Sequence, residues 1–146
     1  MTAISREAVV AEALSWEGVP YRHCGRSKEF GVDCIGLGIV TYSPWVDMDR
    51  PDYRRYPRMP QSPAGFLPYL AVHGWRCLLE RREWLQGDLG VYWINPRTRW
   101  VQHAGIFTPE GIIHAYAKRG RVNHERHGDY WNKRHIATYR HELLDN

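Results

Sequence analysis

The sequence lacks the long apolar runs and the leader that would direct it into or across a membrane. No hydrophobic stretch approaches the roughly 20 residues that a membrane-spanning helix needs. The start, MTAISREAVV, lacks the basic and then apolar layout of a secretion signal. We therefore expect a chain made in the cytoplasm without a signal peptide and with no membrane span, which another component carries if it acts outside.

Repeats, low-complexity tracts and an even number of cysteines are also missing. With 43% hydrophobic and 25% charged residues, the composition predicts one globular domain over residues 1–146. The three cysteines leave at least one thiol free, and we expect all three to be reduced. The net charge of +4 comes from scattered residues, which predicts a mild bias toward anionic partners and no nucleic-acid binding.

Helical patterns dominate the first half of the chain. Residues Ser5 to Trp16 carry apolar side chains at helical spacing, with Ser5 as a cap and Gly18 after the end. Residues 43–63 hold five prolines and form an irregular insertion, and a loop of that length usually covers a site. A second helix is predicted over residues 64–79, although Gly74 lies inside it.

Strand patterns dominate the second half. The predicted strands are LGVYWI, WVQHAGIF, GIIHAYA and HIATYRHEL. The separators NPRTR and TPEG are typical of turns, so the first three of these strands should form an antiparallel meander. Helices followed by strands indicate an α+β domain.

The stretch GVDCIGLGIV, residues 31–40, is ambiguous. Its alternation of large residues with Gly36 and Gly38 favours a strand, and two glycines disfavour a helix by about 1 kcal/mol each relative to alanine. Asp33, however, is a good helix N-cap, and glycines on a buried helix let a neighbouring backbone approach. The local pattern leaves both readings open.

Cys34 is a candidate nucleophile in this stretch. At a helix N-terminus, the free N–H groups and the helix dipole would stabilise a thiolate and lower the thiol pKa. The alternative is a buried structural cysteine, since cysteine is among the most buried residue types.

His103 and His114 interrupt two strand-like apolar runs, VQHAGIF and GIIHAY. A hairpin centred near Pro109 places the two histidines opposite or diagonal to each other, so that they can share one face of the sheet. One imidazole could then take the proton of Cys34 while the other fixes its tautomer. The alternative for each is a satisfied core or surface histidine.

Four motifs, taken together in order and spacing, resemble the NlpC-type cell-wall cysteine peptidases. They are WEGVPYRHCGRSKEFGVDCIGLGIV, QGDLGVYW, QHAGIF and GIIHAY. The resemblance implies a papain-like α+β fold with the nucleophile at a helix N-terminus packed on an antiparallel sheet. The motif DYWNKRH near the end resembles the short branch of the family found with phage tails and gene transfer agents.

The resemblance also implies roles for individual residues. Cys34 corresponds to the nucleophile that opens the central helix, His103 to the general base, and His114 to the residue that orients it. Tyr21 resembles a tyrosine that lies beside the nucleophile and helps to bind the oxyanion. Asp33 matches an acid that contacts the amine of the substrate in some members.

Two features depart from the family pattern, and one more belongs to it. Ile35 replaces the usual small polar residue after the nucleophile. We expect no wall-binding domain beside the catalytic one, so affinity for murein would come from a carrier or from the site itself. Asp88, in the GDL motif, is a family signature that we interpret as structural, capping the turn into its strand.

These observations predict a cysteine peptidase with a Cys-His-His triad that cuts the peptide stem of bacterial peptidoglycan next to D-glutamate. It would act in the periplasm as part of a phage tail or similar particle, with tail hub proteins as partners. The alternatives are a structural or binding component of a tail tip that keeps the fold, and a thiol amidase or acyltransferase with another substrate.

We expect neither a cofactor nor a metal. His23 and Cys24 are adjacent, and His124 and His127 are three residues apart, which makes a zinc site conceivable. No CxxC or HExxH pattern supports one.

Overall fold

The protein is described from a computed structural model, which covers residues 3–46, 56–78 and 84–144. Four α-helices are found in these ranges: α1 (Arg6–Leu14), α2 (Cys34–Val40), α3 (Leu67–Val72) and α4 (Asp129–Arg134). The strands are β1 (Arg26–Ser27), β2 (Gly31–Val32), β3 (Trp75–Cys77), β4 (Leu89–Tyr92), β5 (His103–Thr108), β6 (Gly111–Tyr116), β7 (Arg121–Glu125) and β8 (His135–His141). None of the described helices combines the length and apolar character that a bilayer crossing requires.

Helix α1 confirms the first predicted helix and its cap. The Ser5 hydroxyl accepts a hydrogen bond from the backbone N–H of Ala8 at 3.1 Å, which satisfies one of the free donors of the first turn. Val9 and Ala13 are fully buried on the inner face of the helix.

Helix α2 resolves the ambiguous stretch in favour of a helix. The Asp33 carboxylate caps it by accepting a hydrogen bond from the N–H of Gly36 at 2.7 Å. A Cβ on Gly36 would collide with the backbone oxygen of Gly25, so glycine permits the close approach of this neighbouring segment. Tertiary contacts of this kind outweigh the low helix propensity of the two glycines.

The second predicted helix, residues 64–79, is only partly correct. Helix α3 ends before Gly74, whose φ of +93° lies in the left-handed region and reverses the chain. Residues Trp75–Cys77 form β3, which pairs antiparallel with β8. Burial of Trp75 on this strand, where it is 1% exposed, stabilises the extended conformation. The last predicted residue, Leu79, lies outside the described residues.

The main sheet is antiparallel and has the strand order β3-β8-β4-β5-β6-β7. The predicted meander of β4, β5 and β6 is confirmed, whereas β7 was missed. Helix α2 packs against β5 and β6. The nucleophile candidate and the two histidines are therefore on elements in direct contact.

Asp88 caps a turn as predicted, because its carboxylate accepts a hydrogen bond from the N–H of Leu85 at 2.9 Å. The structure adds an unexpected ion-pair network. Arg140 forms two hydrogen bonds with this fully buried carboxylate, at 2.9 and 2.8 Å, and Arg6 forms a third at 2.9 Å. The network ties helix α1 to the end of β8.

Replacing Asp88 with asparagine should lower the free energy of unfolding by about 3 kcal/mol or more, because two arginines lose the carboxylate that compensates their charges. The measurement is urea unfolding followed by tryptophan fluorescence. Glu7→Gln removes an exposed carboxylate and should cost less than about 1 kcal/mol. Equal losses in the two variants would contradict a structural role for the buried network.

Candidate active site

Cys34 is the first residue of helix α2 and is a free thiol that is 8% exposed. The backbone N–H groups of Ala104 and Ile35 act on its sulfur and favour the thiolate form. Because Ala104 directly follows His103 in β5, the start of helix α2 meets the histidine strand at the sulfur atom.

His103 and His114 lie on one face of the sheet, as the hairpin parity predicted. In the β5–β6 register, Ile106 pairs with Ile113, so the two histidines are diagonal neighbours. His103 Nε2 lies 2.7 Å from His114 Nδ1, which is a hydrogen bond between two buried rings. The side chain of His114 faces Gly105, where a Cβ would lie 3.1 Å from the Cβ of His114.

Glu125 extends this arrangement and was missed by the sequence reasoning. It follows the same diagonal on the next strand, β7, where Asn123 pairs with His114. Glu125 Oε1 lies 3.4 Å from His114 Nε2 and accepts a hydrogen bond from the indole N–H of Trp131. Asn123 donates to the other carboxylate oxygen at 2.6 Å. The acceptor in VNHE could have been found only by predicting β7 and its register.

Glu125 favours one tautomer of each histidine. The pKa of its carboxyl falls to about 2, first because of its hydrogen bond with His114, so it is ionised at neutral pH. A carboxylate only accepts hydrogen bonds, so its position 3.4 Å from His114 Nε2 favours a proton on that nitrogen. In neutral His114, Nδ1 is then an acceptor, and His103 Nε2 donates to it. Nδ1 of neutral His103 is left unprotonated and can take a proton.

The expected low pKa of Cys34 is wrong. Burial, followed by the negative charge of Asp33, raises the pKa of the thiol to about 12, and the N–H groups of Ala104 and Ile35 only partly oppose this. Burial and the neighbouring His114 hold the pKa of His103 well below its usual range. The resting site therefore pairs a neutral thiol with a neutral imidazole, and the thiolate has to form during the reaction.

This resting state predicts slow alkylation of Cys34 at neutral pH. In a Cys24→Ser, Cys77→Ser background, the rate with iodoacetamide at about pH 7 should fall below that of free cysteine, whose pKa is about 8.5. The rate should keep rising with pH toward 12, the value to which burial raises the pKa. A rate that is already constant between about pH 5 and 7 would show a preformed thiolate and contradict this reading.

The cleft above Cys34 has a volume of about 190 Å³. Its outer wall comprises residues 56–62 with Gly65 and Phe66, and it includes the end of the proline-rich segment. The opposite side consists of Tyr21, His23, Asp33, Cys34 and Ile35. Residues 56–62 of the proline-rich segment line this cleft, while residues 47–55 lie outside the described part of the chain, and a covering role for the segment stays a prediction.

Tyr21 and Asp33 both line this cleft, but they differ in availability. Burial, then the charges of Cys34 and Asp33, raises the pKa of the Tyr21 phenol, which therefore remains a hydrogen-bond donor at neutral pH. Asp33 is 2% exposed and already accepts from the N–H groups of Gly36 and Cys24, both at 2.7 Å. Arg26 donates to it at 3.1 Å. The role of Asp33 toward a substrate amine stays a prediction.

The described residues contain one group of three possible metal ligands: His23, Cys24 and Asp33, with ligand atoms within 4.8 Å of one another. Asp33 is a poor ligand here because the hydroxyl of Tyr56 and the N–H of Cys24 occupy the same oxygen. The guanidinium of Arg26 adds a repulsive charge for a cation.

The two histidines of the other conceivable zinc site, His124 and His127, each have a ring nitrogen in contact with a hydroxyl group. His124 Nε2 lies 2.8 Å from the hydroxyl of Thr108, and His127 Nε2 lies 2.9 Å from the hydroxyl of Tyr92. The absence of a metal stays a prediction.

Solved structures with the same fold are 16–21% identical in sequence to this chain. NlpC1 from Trichomonas vaginalis aligns with a TM-score of 0.67 at 17% identity, over 96% of this chain and 45% of its own. The NlpC/p60 domain of the peptidoglycan hydrolase SagA aligns with a TM-score of 0.60 at 21% identity, over 92% of this chain and 97% of the SagA domain. RipD from Mycobacterium tuberculosis aligns with a TM-score of 0.54 at 16% identity, over 94% of this chain and 97% of RipD. It is described as a non-catalytic NlpC/p60 domain protein adapted to peptidoglycan binding.

The chain thus spans about half the length of the Trichomonas structures that it matches. No curated protein matches its sequence. The likeness to the solved structures establishes the papain-like α+β arrangement of helices on an antiparallel sheet. The sequence model of the NlpC/P60 family matches residues 18–140, which is most of the chain, and the protein therefore belongs to the NlpC/P60 family.

Proposed function

We propose that the protein is a cysteine peptidase that hydrolyses an amide bond in the peptide stem of bacterial peptidoglycan, next to D-glutamate. The observation that carries this proposal is the free thiol of Cys34 in the cleft, on a helix that meets the strand of the paired histidines. Membership of the NlpC/P60 family and similarity to the peptidoglycan hydrolase SagA support the same substrate.

In the proposed reaction, His103 Nδ1 takes the proton of the Cys34 thiol as the sulfur attacks the carbonyl carbon. The oxyanion is held by the N–H of Cys34 and the hydroxyl of Tyr21, the kind of donors that each contribute a factor of about 100 to 1000. His103 then gives its proton to the leaving amine. Water, deprotonated by the same imidazole, hydrolyses the thioester and restores the thiol.

The histidine pair acts as a unit in this sequence. When His103 becomes an imidazolium, its Nε2–H donates to His114, and the Glu125 carboxylate behind His114 stabilises the positive charge. The pair therefore requires no rearrangement of tautomers between the two half-reactions, because His103 Nδ1 both receives and returns the proton.

The test is mass spectrometry of the fragments that the protein releases from defined murein, against a blank without protein. We expect one new amine and one new carboxylate per cut, with the new carboxylate on D-glutamate or its neighbour. Release of ammonia, or transfer of the acyl group to an added amine, would favour the thiol amidase or acyltransferase instead. The absence of any release would refute hydrolysis of this substrate.

We also propose that the protein works in a phage tail or tail-like particle and reaches the wall from there. The support is the similarity of DYWNKRH, residues 129–135, to the branch of the family associated with such particles. In the structure this motif carries Trp131, which contacts Glu125. An antibody against the protein should label purified particles of the producing strain, and labelling confined to the cell fraction would contradict this setting.

A second candidate is a binding component with the same fold and no reaction. RipD, which is described as non-catalytic and adapted to peptidoglycan binding, shows that the fold can serve this purpose. The raised pKa of Cys34 agrees with a passive thiol, but a binding protein has no physical need for the ordered chain from His103 to Glu125. Binding to murein without release of fragments would favour this candidate.

A further inference from the structure

We propose that Arg58, on the outer wall of the cleft, binds a carboxylate of the substrate beside the scissile bond. The inference rests on the proposed function and adds a substrate class to it: a peptide stem whose glutamate keeps a free carboxylate rather than a carboxamide.

The wall that carries Arg58 is fixed at both ends. At one end the carbonyl of Tyr56 accepts a hydrogen bond from His23 Nε2 at 2.8 Å, and its hydroxyl donates to Asp33. At the other end the carbonyl of Pro63 accepts from the N–H of Val101 at 3.1 Å. The intervening residues 57–62 are therefore held over the cleft before any ligand arrives.

Arg58 has no acidic partner among the residues that the structure describes. Its side chain lines the cleft and is exposed, so the guanidinium can be reached by a ligand. The other charged group of the cleft, Asp33, is compensated internally by Arg26, whose side chain is 4% exposed. Among the described residues the charge of Arg58 is therefore not cancelled, and this part of the cleft favours an anion over a cation.

Arg58 lies in the same cleft as the proposed nucleophile. Tyr21 and Cys34 line it together with Arg58. A carboxylate bound to Arg58 would therefore share the cleft with the carbonyl that Cys34 attacks.

The chemistry of the wall selects a carboxylate. A guanidinium presents a planar fork of N–H donors that matches the two oxygens of a carboxylate. The other polar side chains of the cleft near it, Gln61, Ser62 and Gln102, are neutral and provide no negative charge for an ammonium group. The reading also fits Asp33, whose lone pairs are already committed to backbone and side-chain donors.

The test uses binding, so that it does not depend on turnover. In the full chain carrying Cys34→Ala, calorimetry compares a C-terminally amidated stem tripeptide that has the D-glutamate α-carboxylate with the same peptide carrying the α-carboxamide. We expect the carboxylate peptide to bind about tenfold more tightly. Arg58→Gln should bring the ratio close to one, and Arg58→Lys should retain part of it. Arg97→Gln, which removes an exposed arginine outside the cleft lining, should leave the ratio unchanged.

An equal ratio before and after Arg58→Gln, or no measurable binding of either peptide, overturns the proposal. The proposed function fails separately, in the murein digestion with the wild-type protein. Charge-selective binding without hydrolysis would keep the Arg58 subsite and reject the peptidase. Hydrolysis without charge selectivity would keep the peptidase and reject the Arg58 subsite.

Discussion

Replacing Cys34 with alanine is expected to abolish release of fragments from murein, lowering kcat/KM by about 10⁴-fold or more. The proposed reaction proceeds through a thioester on this sulfur, and no other cysteine lines the cleft. Cys77 is exposed on β3, and the backbone N–H of Cys24 donates to Asp33. The measurement is the rate of new amino groups formed from a defined stem peptide.

Two controls separate chemistry from folding. Cys34→Ser keeps the size and hydrogen-bonding capacity of the side chain, so that it should fold as the wild type does while remaining nearly inactive. Cys77→Ser removes an exposed thiol and should retain full activity. Equal turnover by the wild type and Cys34→Ala would show that this thiol carries no reaction.

The second large effect concerns the histidine series. His103→Ala should lower kcat/KM by about 10²–10⁴-fold, because it removes the proposed general base and acid. His114→Ala should be less damaging, since it removes only the group that orients His103. Glu125→Gln should lower kcat/KM least of the three. The amide can turn either its oxygen or its N–H group toward His114, so the tautomers are reversed only in the molecules in which the N–H faces the ring.

The series has an independent readout in the ring nitrogens. Nitrogen NMR of selectively labelled histidine should find His103 protonated at Nε2 in the wild type and a mixture of tautomers in Glu125→Gln. Tyr130→Phe is the matched control, since it removes a hydroxyl that contacts Tyr116 at 3.3 Å but leaves the three groups untouched. A larger loss from His114→Ala than from His103→Ala would exchange the roles assigned to the two rings.

Local pattern sufficed for the features that depend on strand parity and turns. The alternation of β5 and β6 and the short turn between them placed His103 and His114 on one face, and the 2.7 Å contact agrees. The Ser5 cap and the cap at Asp88 were likewise readable, since a polar residue at an element boundary has few other uses.

Features that depend on distant partners could not be read in this way. Trp75 lies on a strand because it pairs with His141, which is far away in the sequence. Glu125 belongs to the site only through the register of β7 against β6. The pKa of Cys34 follows the same rule, because the burial that raises it is a property of the assembled fold.

The two anchors of the cleft wall hold the backbone of residues 57–62 without using their side chains. These side chains can therefore vary in sequence more freely than those that face the histidines on β5 and β6. The hydrogen bonds of the Tyr56 and Pro63 carbonyls do not use the side chains between them, so we expect both to remain when residues 57–62 are replaced at constant length. Natural variation or directed evolution could thereby change the charge of the cleft wall, while Cys34 and the two histidines stay where they are.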